Sequence, residues 1–142
     1  MSCSEDVKNI KDLITEVGLE NDKNFIKSGC NNNYKLCKDC TWGDYSKGGL
    51  YYFNDTGLCN TIKLYGGYLK GTIPTSMFKF NNITNLDISS NNIKGELPKS
   101  LNQLKNLNYL WADNNNIDSI PPNSFNNLTK LFSLSISSNK FN

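Results

Sequence analysis

The chain contains no histidine, and all fifteen of its basic residues are lysine, so arginine is absent as well. Without histidine, the usual general base is missing, as are the commonest metal ligand and the usual partner of a serine or cysteine nucleophile. Without arginine there is no bidentate fork for phosphates or guanine edges. The lysines are interleaved with thirteen acids and leave a net charge of only +2. Nucleic-acid binders concentrate charge of one sign, so no nucleic-acid partner is expected. No apolar run is long enough to cross a bilayer, and no membrane insertion is expected. No cofactor is expected either. Met1-Ser2-Cys3 leads straight into a polar helix with no apolar leader. For a cysteine-rich chain this points to a mature form or an added start.

What is present is 142 residues, room for one domain. The five cysteines, Cys3, Cys30, Cys37, Cys40 and Cys59, all lie in the first half. This clustering reads as a disulfide-stapled cap formed in an oxidising compartment. The rival reading is zinc, because Cys37-Lys-Asp-Cys40 has ligand spacing. A second such pair is missing, so no metal site is expected.

The second half repeats. Ile83-Thr-Asn-Leu86-Asp-Ile88-Ser-Ser-Asn91-Asn-Ile93 is matched by Leu107-Asn-Tyr-Leu110-Trp-Ala112-Asp-Asn-Asn115-Asn-Ile117. Leu131-Phe-Ser-Leu134-Ser-Ile136-Ser-Ser-Asn139-Lys-Phe141 matches both, at a constant spacing of 24 residues. One unit earlier, Ile62-Lys-Leu64-Tyr-Gly-Gly67-Tyr-Leu69 fits the frame, with Gly67 in the asparagine position. Period-2 alternation sends Ile62, Leu64, Leu86, Ile88, Leu110, Ala112, Leu134 and Ile136 inward on short parallel strands. Asn91, Asn115 and Asn139 fall where the chain leaves the sheet. Each is expected to satisfy backbone groups of adjacent loops as a structural ladder. Gly67 has no amide to offer, so the first turn is expected to be looser or to use water.

This pattern resembles the leucine-rich repeat. Leu69-Lys-Gly71-Thr-Ile73-Pro74 and Ile93-Lys-Gly95-Glu-Leu97-Pro98 are similar to the plant-type subclass. Ile120-Pro121-Pro122-Asn-Ser-Phe125 is similar to the typical extracellular subclass. The resemblance implies an α/β solenoid with a curved parallel sheet on its concave face. It places the repeats at 59–142, about three full units and the start of a fourth, with an N-terminal cap at 1–58. It also implies an extracellular or secreted location, including that of a cell-surface ectodomain.

The cap reading starts from residues. Ser4 is a suitable helix N-cap, and Val7, Ile10, Leu13, Ile14 and Val17 form one apolar stripe ended by Gly18. The stripe is expected to cover the first repeat rather than lie on a membrane. Cys40-Thr-Trp42-Gly43 and Cys3 resemble the plant-type cap, with Gly49-Leu-Tyr-Tyr-Phe53 as a strand and Asn54-Asp-Thr-Gly57 as a turn. That resemblance implies Cys40 paired with Cys59, and Cys3 with Cys30 or Cys37. Spacing alone fixes no connectivity.

Solenoids bind through the extended sheet face. The outward strand positions run Thr61, Lys63, Tyr65; Asn85, Asp87, Ser89; Tyr109, Trp111, Asp113; Ser133, Ser135, Ser137. Lys63, Tyr65, Asp87, Tyr109, Trp111 and Asp113 are the candidate partner-binding residues, since exposed aromatics are common anchors. Against this stands the reading that they are ordinary solvated positions, or that the aromatics pack on one another. Asp87 and Asp113 are also the one carboxylate pair that the frame puts on one face. Solvated carboxylates on adjacent strands rarely catalyse, so no enzyme activity and no catalytic residue is expected. Three glycosylation sequons begin at Asn54, Asn82 and Asn127, all off the outward positions. They leave that face bare.

The expected function is recognition of a macromolecule, a protein or peptide, including one associated with cell-wall polysaccharide. The chain stops just after the fourth strand with no visible cover. A fragment of a longer ectodomain is the first explanation. Structural self-association through that end, as a dimer or filament, is the alternative.

Overall fold

The computed structural model describes residues 9, 12–18, 40–44, 48–53, 61–67 and 69–141. Along 40–44 and 48–53, and at Tyr65, it describes the backbone alone. Val7, Ile10, Cys3, Cys30, Cys37 and Cys59 lie outside the described residues, as does the Asn54–Gly57 turn. The same holds for the Cys40 side chain, and therefore for the expected disulfides.

The strands of the described residues form two sheets. The larger has the order β1 (Cys40–Asp44), β2 (Gly48–Phe53), β3 (Thr61–Tyr65), β5 (Asn85–Asp87), β7 (Tyr109–Trp111) and β9 (Ser133–Ser135). The smaller joins β4 (Lys70–Gly71), β6 (Asn92–Glu96) and β8 (Asn116–Ser119). β1, β2 and β3 pair antiparallel, with Cys40 opposite Tyr52 and Tyr52 opposite Ile62. From β3 onward the pairing is parallel and in register, with Ile62, Leu86, Leu110 and Leu134 as successive partners. The β1–β2 hairpin therefore continues the sheet of the repeats without a break, an extension the sequence reading did not include.

Among the described residues two short 3₁₀ helices, η1 (Thr75–Lys79) and η2 (Lys99–Gln103), follow a strand of the smaller sheet and precede the next strand of the larger one along the chain. Each begins directly after a proline in extended conformation, Pro74 or Pro98. A proline's fixed φ and missing N–H suit the position just before a helical turn. In the next unit Pro121 does the same work for a turn, accepting the Ser124 N–H at 3.2 Å.

The core lies between the sheets and these turns. Ile62, Leu64, Leu86, Ile88, Leu110 and Ala112 are all buried, as alternation on a half-buried strand requires. Leu69, Ile93 and Ile117 fill the second row, and Met77, Leu101 and Phe80 come from the far side. Leu134 is the exception at 39% exposure, against 0% for its partner Leu110. Among the described residues β9 is an edge strand, with β7 on one side only.

The helical segment 12–16 packs against η1. Leu13 and Ile14 are buried and Val17 rests on the core. Gly18 at φ +75° ends the segment, donating its N–H to the Thr15 carbonyl, the left-handed stop that glycine adopts without strain. Glu16 ties the segment down. Its carboxylate accepts the Thr75 N–H at 2.7 Å, the Thr75 hydroxyl at 2.9 Å and the Ser76 N–H at 2.9 Å. It thereby satisfies amides at the start of η1 that have no partner inside the helix. The Asn9 amide reaches the Lys79 carbonyl at 3.4 Å, and Lys79 pairs with Asp12 at 3.8 Å.

Three turns out of the large sheet, those after β5, β7 and β9, are each built on one asparagine. Asn115 donates to the carbonyls of Ile88, Ala112 and Asp113 and accepts the Ile93 N–H at 3.1 Å. Asn91 makes the same set with Leu64, Ile88, Ser89 and Leu69. Asn139 repeats it with Ala112, Ile136, Ser137 and Ile117. The residue before each asparagine is left-handed: Ser90, Asn114 and Ser138, at φ 54–56°. In the first unit Gly67 takes the asparagine position. Gly66 and Gly67, both at positive φ, donate their N–H groups to the Ser90 carbonyl at 3.0 and 2.9 Å. Ser90 and Asn114 make the corresponding backbone bonds to Asp113 and Ser137 one unit further on, and glycine reaches the positive φ of this turn without strain.

Candidate binding face

Side chains at odd positions of the parallel strands leave the core and form rows across the sheet. One row runs Lys63, Asp87, Trp111, Ser135, each the register partner of the next. The row beside it runs Thr61, Asn85, Tyr109, Ser133. Adjacent strands stand about 4.8 Å apart, so neighbours in a row are within reach of one another.

Lys63, Asp87, Ser89, Trp111 and Asp113 line a concavity of about 250 Å³ on this face. Four of the six residues singled out in the sequence are thus brought together. Tyr109 stands beside them. Its ring stacks on Trp111, with centroids 5.4 Å apart and planes 10° from parallel. Tyr65 lies on β3, but its side chain is outside the described residues. Thr61 was placed among the solvated positions and is instead 3% exposed, with β2 running alongside it.

The aromatics do pack on one another, and the contact extends further than the strand positions. Phe132 meets Tyr109 edge-on at 5.8 Å and is 82% exposed. It was not singled out, because strict alternation from Leu134 and Ile136 points an even position inward. The strand begins only at Ser133, so alternation does not govern Phe132. The signal available was a large apolar residue in the position occupied by Thr84 and Asn108 in earlier units.

The two carboxylates differ in their duties. Asp87 accepts the Ser89 N–H at 3.0 Å and so closes its own turn. Asp113 accepts the Ser135 hydroxyl at 2.6 Å, the Ser137 N–H at 2.8 Å and the Ser137 hydroxyl at 2.8 Å. Partial burial alone raises its pKa, but these donors from the next unit outweigh it and hold the carboxyl below the usual range. A carboxylate fixed in its ionised form is a poor proton shuttle near neutral pH. All the bonds to Asp113 end on Oδ1, and the bond to Asp87 ends on its Oδ1. Oδ2 of each takes no part in them.

Among the described residues no group of histidine, cysteine or acidic side chains has metal-holding geometry. Of the sequons, Asn82 is half-buried ahead of β5 and Asn127 is exposed in the turn ahead of β9. Asn54 lies outside the described residues.

Parallel strands recurring every 24 residues, with one asparagine closing each turn, define a repeat solenoid. Residues 81–141 match the leucine rich repeat. That match covers somewhat under half of the chain, and the fold as a whole resembles that of plant leucine-rich-repeat ectodomains. The ectodomain of the receptor kinase SOBIR1 from Arabidopsis thaliana is similar over 97% of this chain and 68% of that one, with a TM-score of 0.55 and 21% identity. The plant peptide hormone receptor RGFR1, solved with RGF2, is similar over 58% of this chain and 13% of its own, with a TM-score of 0.53 and 20% identity. A TDR receptor is similar over 58% of this chain and 14% of its own, with a TM-score of 0.51 and 33% identity. The chain spans only a small part of the last two. No curated protein sequence matches it.

Proposed function

We propose that the chain is a non-catalytic extracellular recognition module that holds a protein or peptide on its concave sheet face. One observation carries this reading: the Tyr109–Trp111 stack, continued by the exposed Phe132, lies on the face that the buried strand positions leave free. Rigid aromatic area is costly to leave in water and loses little side-chain entropy on binding, which is why Trp and Tyr dominate binding energetics. The half-exposed Lys63, Asp87 and Asp113 around the stack supply polar selectivity. RGFR1 carries a peptide on the same fold, so the architecture suits this use. In this reading residues 1–58 are a disulfide-stapled cap and 59–142 the repeats. Glycans on Asn54, Asn82 and Asn127 would stay off the binding face. A cell-wall-associated partner fits the same surface.

The test is selection of displayed peptides on the folded chain, followed by replacement of single side chains. Trp111→Ala is expected to cost about 2 kcal/mol of binding, roughly thirtyfold in Kd. Tyr109→Ala should follow closely. Lys105→Ala, exposed on the far side, should change nothing. Selected peptides that ignore Trp111 and Tyr109 would move the site elsewhere.

A second reading is self-association along the edge strand β9. The exposure of Leu134 and Phe141, at 39% and 37%, favours it. Light scattering decides: a strict monomer at high concentration removes it.

A further inference from the structure

The concavity beside Trp111 has a chemistry of its own. Its lining holds one cation, Lys63, and two carboxylates, Asp87 and Asp113. Register places Asp87 between Lys63 and Trp111. Lys63 therefore offsets charge at one end of the row, while the Trp111–Asp113 end keeps a net negative charge. Among the described residues neither carboxylate forms an ion pair; the pair that does form, Lys79–Asp12, lies on η1 and the helical segment. Asp113 is locked in place by Ser135 and Ser137 through Oδ1 alone. Asp87 is likewise held through Oδ1 by the Ser89 N–H. Each thus presents a second oxygen from a fixed position, in the same concavity as a half-exposed indole that Tyr109 stacks on.

A planar cation that stacks on an aromatic face and donates sideways to two carboxylates matches this arrangement. We infer that the concavity lined by Lys63, Asp87, Ser89, Trp111 and Asp113 receives the guanidinium of an arginine side chain from an extended peptide partner. The inference rests on the recognition reading above and names the chemistry at its centre. Guanidinium is preferred to ammonium because it is flat, weakly hydrated and able to donate in two directions while stacked. The chain supplies no arginine of its own to fill the place. Phe132 and Tyr109 lie outside the cleft and form an apolar shelf for the residues flanking that arginine. A sugar ring would also stack on Trp111 and donate hydroxyls to the carboxylates, but it brings no positive charge to balance them.

The probe is the blocked tripeptide N-acetyl-Gly-Arg-Gly-amide, titrated into the intact chain while the Trp111 indole and Asp113 amide signals are followed by NMR. Both signals should move in a saturable way at millimolar peptide, and less as salt is raised. The citrulline counterpart, which keeps the shape but not the charge, should bind at least tenfold more weakly, and the lysine counterpart should fall between. Asp87→Asn should lose the arginine preference while leaving the Asp113–Ser135 contact, and hence the fold, in place. Equal binding of the arginine and citrulline peptides overturns the inference. So does movement of the same signals by cellohexaose with no response to the arginine peptide. If display-selected peptides need Trp111 but tolerate arginine-to-citrulline exchange and Asp87→Asn, the guanidinium site falls and the recognition face stands. If they ignore Trp111 altogether, both fall.

Discussion

The Glu16 carboxylate and the Ser76 N–H meet at 2.9 Å across 60 residues of chain. Through this bond and the two from Thr75 the N-terminal helical segment is fastened to the first helical turn of the repeats. Partial burial pulls the Glu16 pKa up, and the Ser76 and Thr75 donors pull it down more strongly, to about 2 from an ordinary 4.5. A carboxyl depressed on folding adds stability that is fully present above its unfolded value. That stability is lost as pH falls towards the folded value. Wild-type stability should therefore decline between pH 4.5 and about 2 with a share owed to Glu16. In Glu16→Gln that share is missing at every pH. The two melting temperatures should differ at pH 7 and converge at acid pH. Because Glu16 is exposed, screening keeps the gap small and sensitive to salt. A gap that persists undiminished at pH 2 would assign the effect to packing instead.

The asparagine ladder makes a graded prediction. Asn115 is 6% exposed and serves four backbone groups. Asn115→Ala leaves those groups in a site too closed for easy hydration, and the loss should be roughly 2–5 kcal/mol. Asn139 serves an equal number, but one of its bonds is exposed and its neighbours border the edge strand. Asn139→Ala should cost less than half as much by denaturant titration. Equal losses would mean that the loops, not their burial, set the cost.

Much of this ladder could be read from the sequence, because it follows from a repeat. A 24-residue period that aligns Leu86, Leu110 and Leu134 fixes which residues pair, and parallel pairing then fixes the rows. Lys63, Asp87 and Trp111 came together for that reason. The period was silent wherever one unit differs from the others. Gly67 stands in the asparagine position, and the bonds from Gly66 and Gly67 to the Ser90 carbonyl are visible only in three dimensions. Phe132 stands one residue ahead of its strand, where alternation has no force. The Glu16 latch joins the N-terminal helical segment to a repeat, and no internal period links those two segments.

Phe132 gives a prediction that separates stability from function. At 82% exposure it buries little, and its edge contact with Tyr109 is worth about 0.5–1.5 kcal/mol at most. Phe132→Ser should leave the melting temperature within a few degrees of wild type. If the aromatic shelf is used, the same change should weaken selected peptides severalfold. A large fall in stability would show instead that Phe132 is a structural residue of the last described unit.

The left-handed turn residues supply the last test. Ser90 sits at φ +55°, and Asn114 and Ser138 hold the same place one and two units further on. A left-handed conformation costs an ordinary L-residue about 1–2 kcal/mol, and most for a β-branched side chain. Ser90→Val should therefore destabilise the chain by at least that amount, although Ser90 is exposed and a valine there would meet no crowding. Ser90→Gly removes the backbone strain but loosens the unfolded chain by about 0.4–1 kcal/mol, so it should lie between neutral and mildly stabilising. The first unit already carries glycine at this place, Gly66, in a closed turn. The sign of the difference between the valine and glycine variants is the decisive quantity. A valine variant as stable as the glycine one would mean that the turn relaxes out of the left-handed region. The Ser90 N–H to Asp113 carbonyl bond at 2.9 Å should then lose its protection from hydrogen exchange.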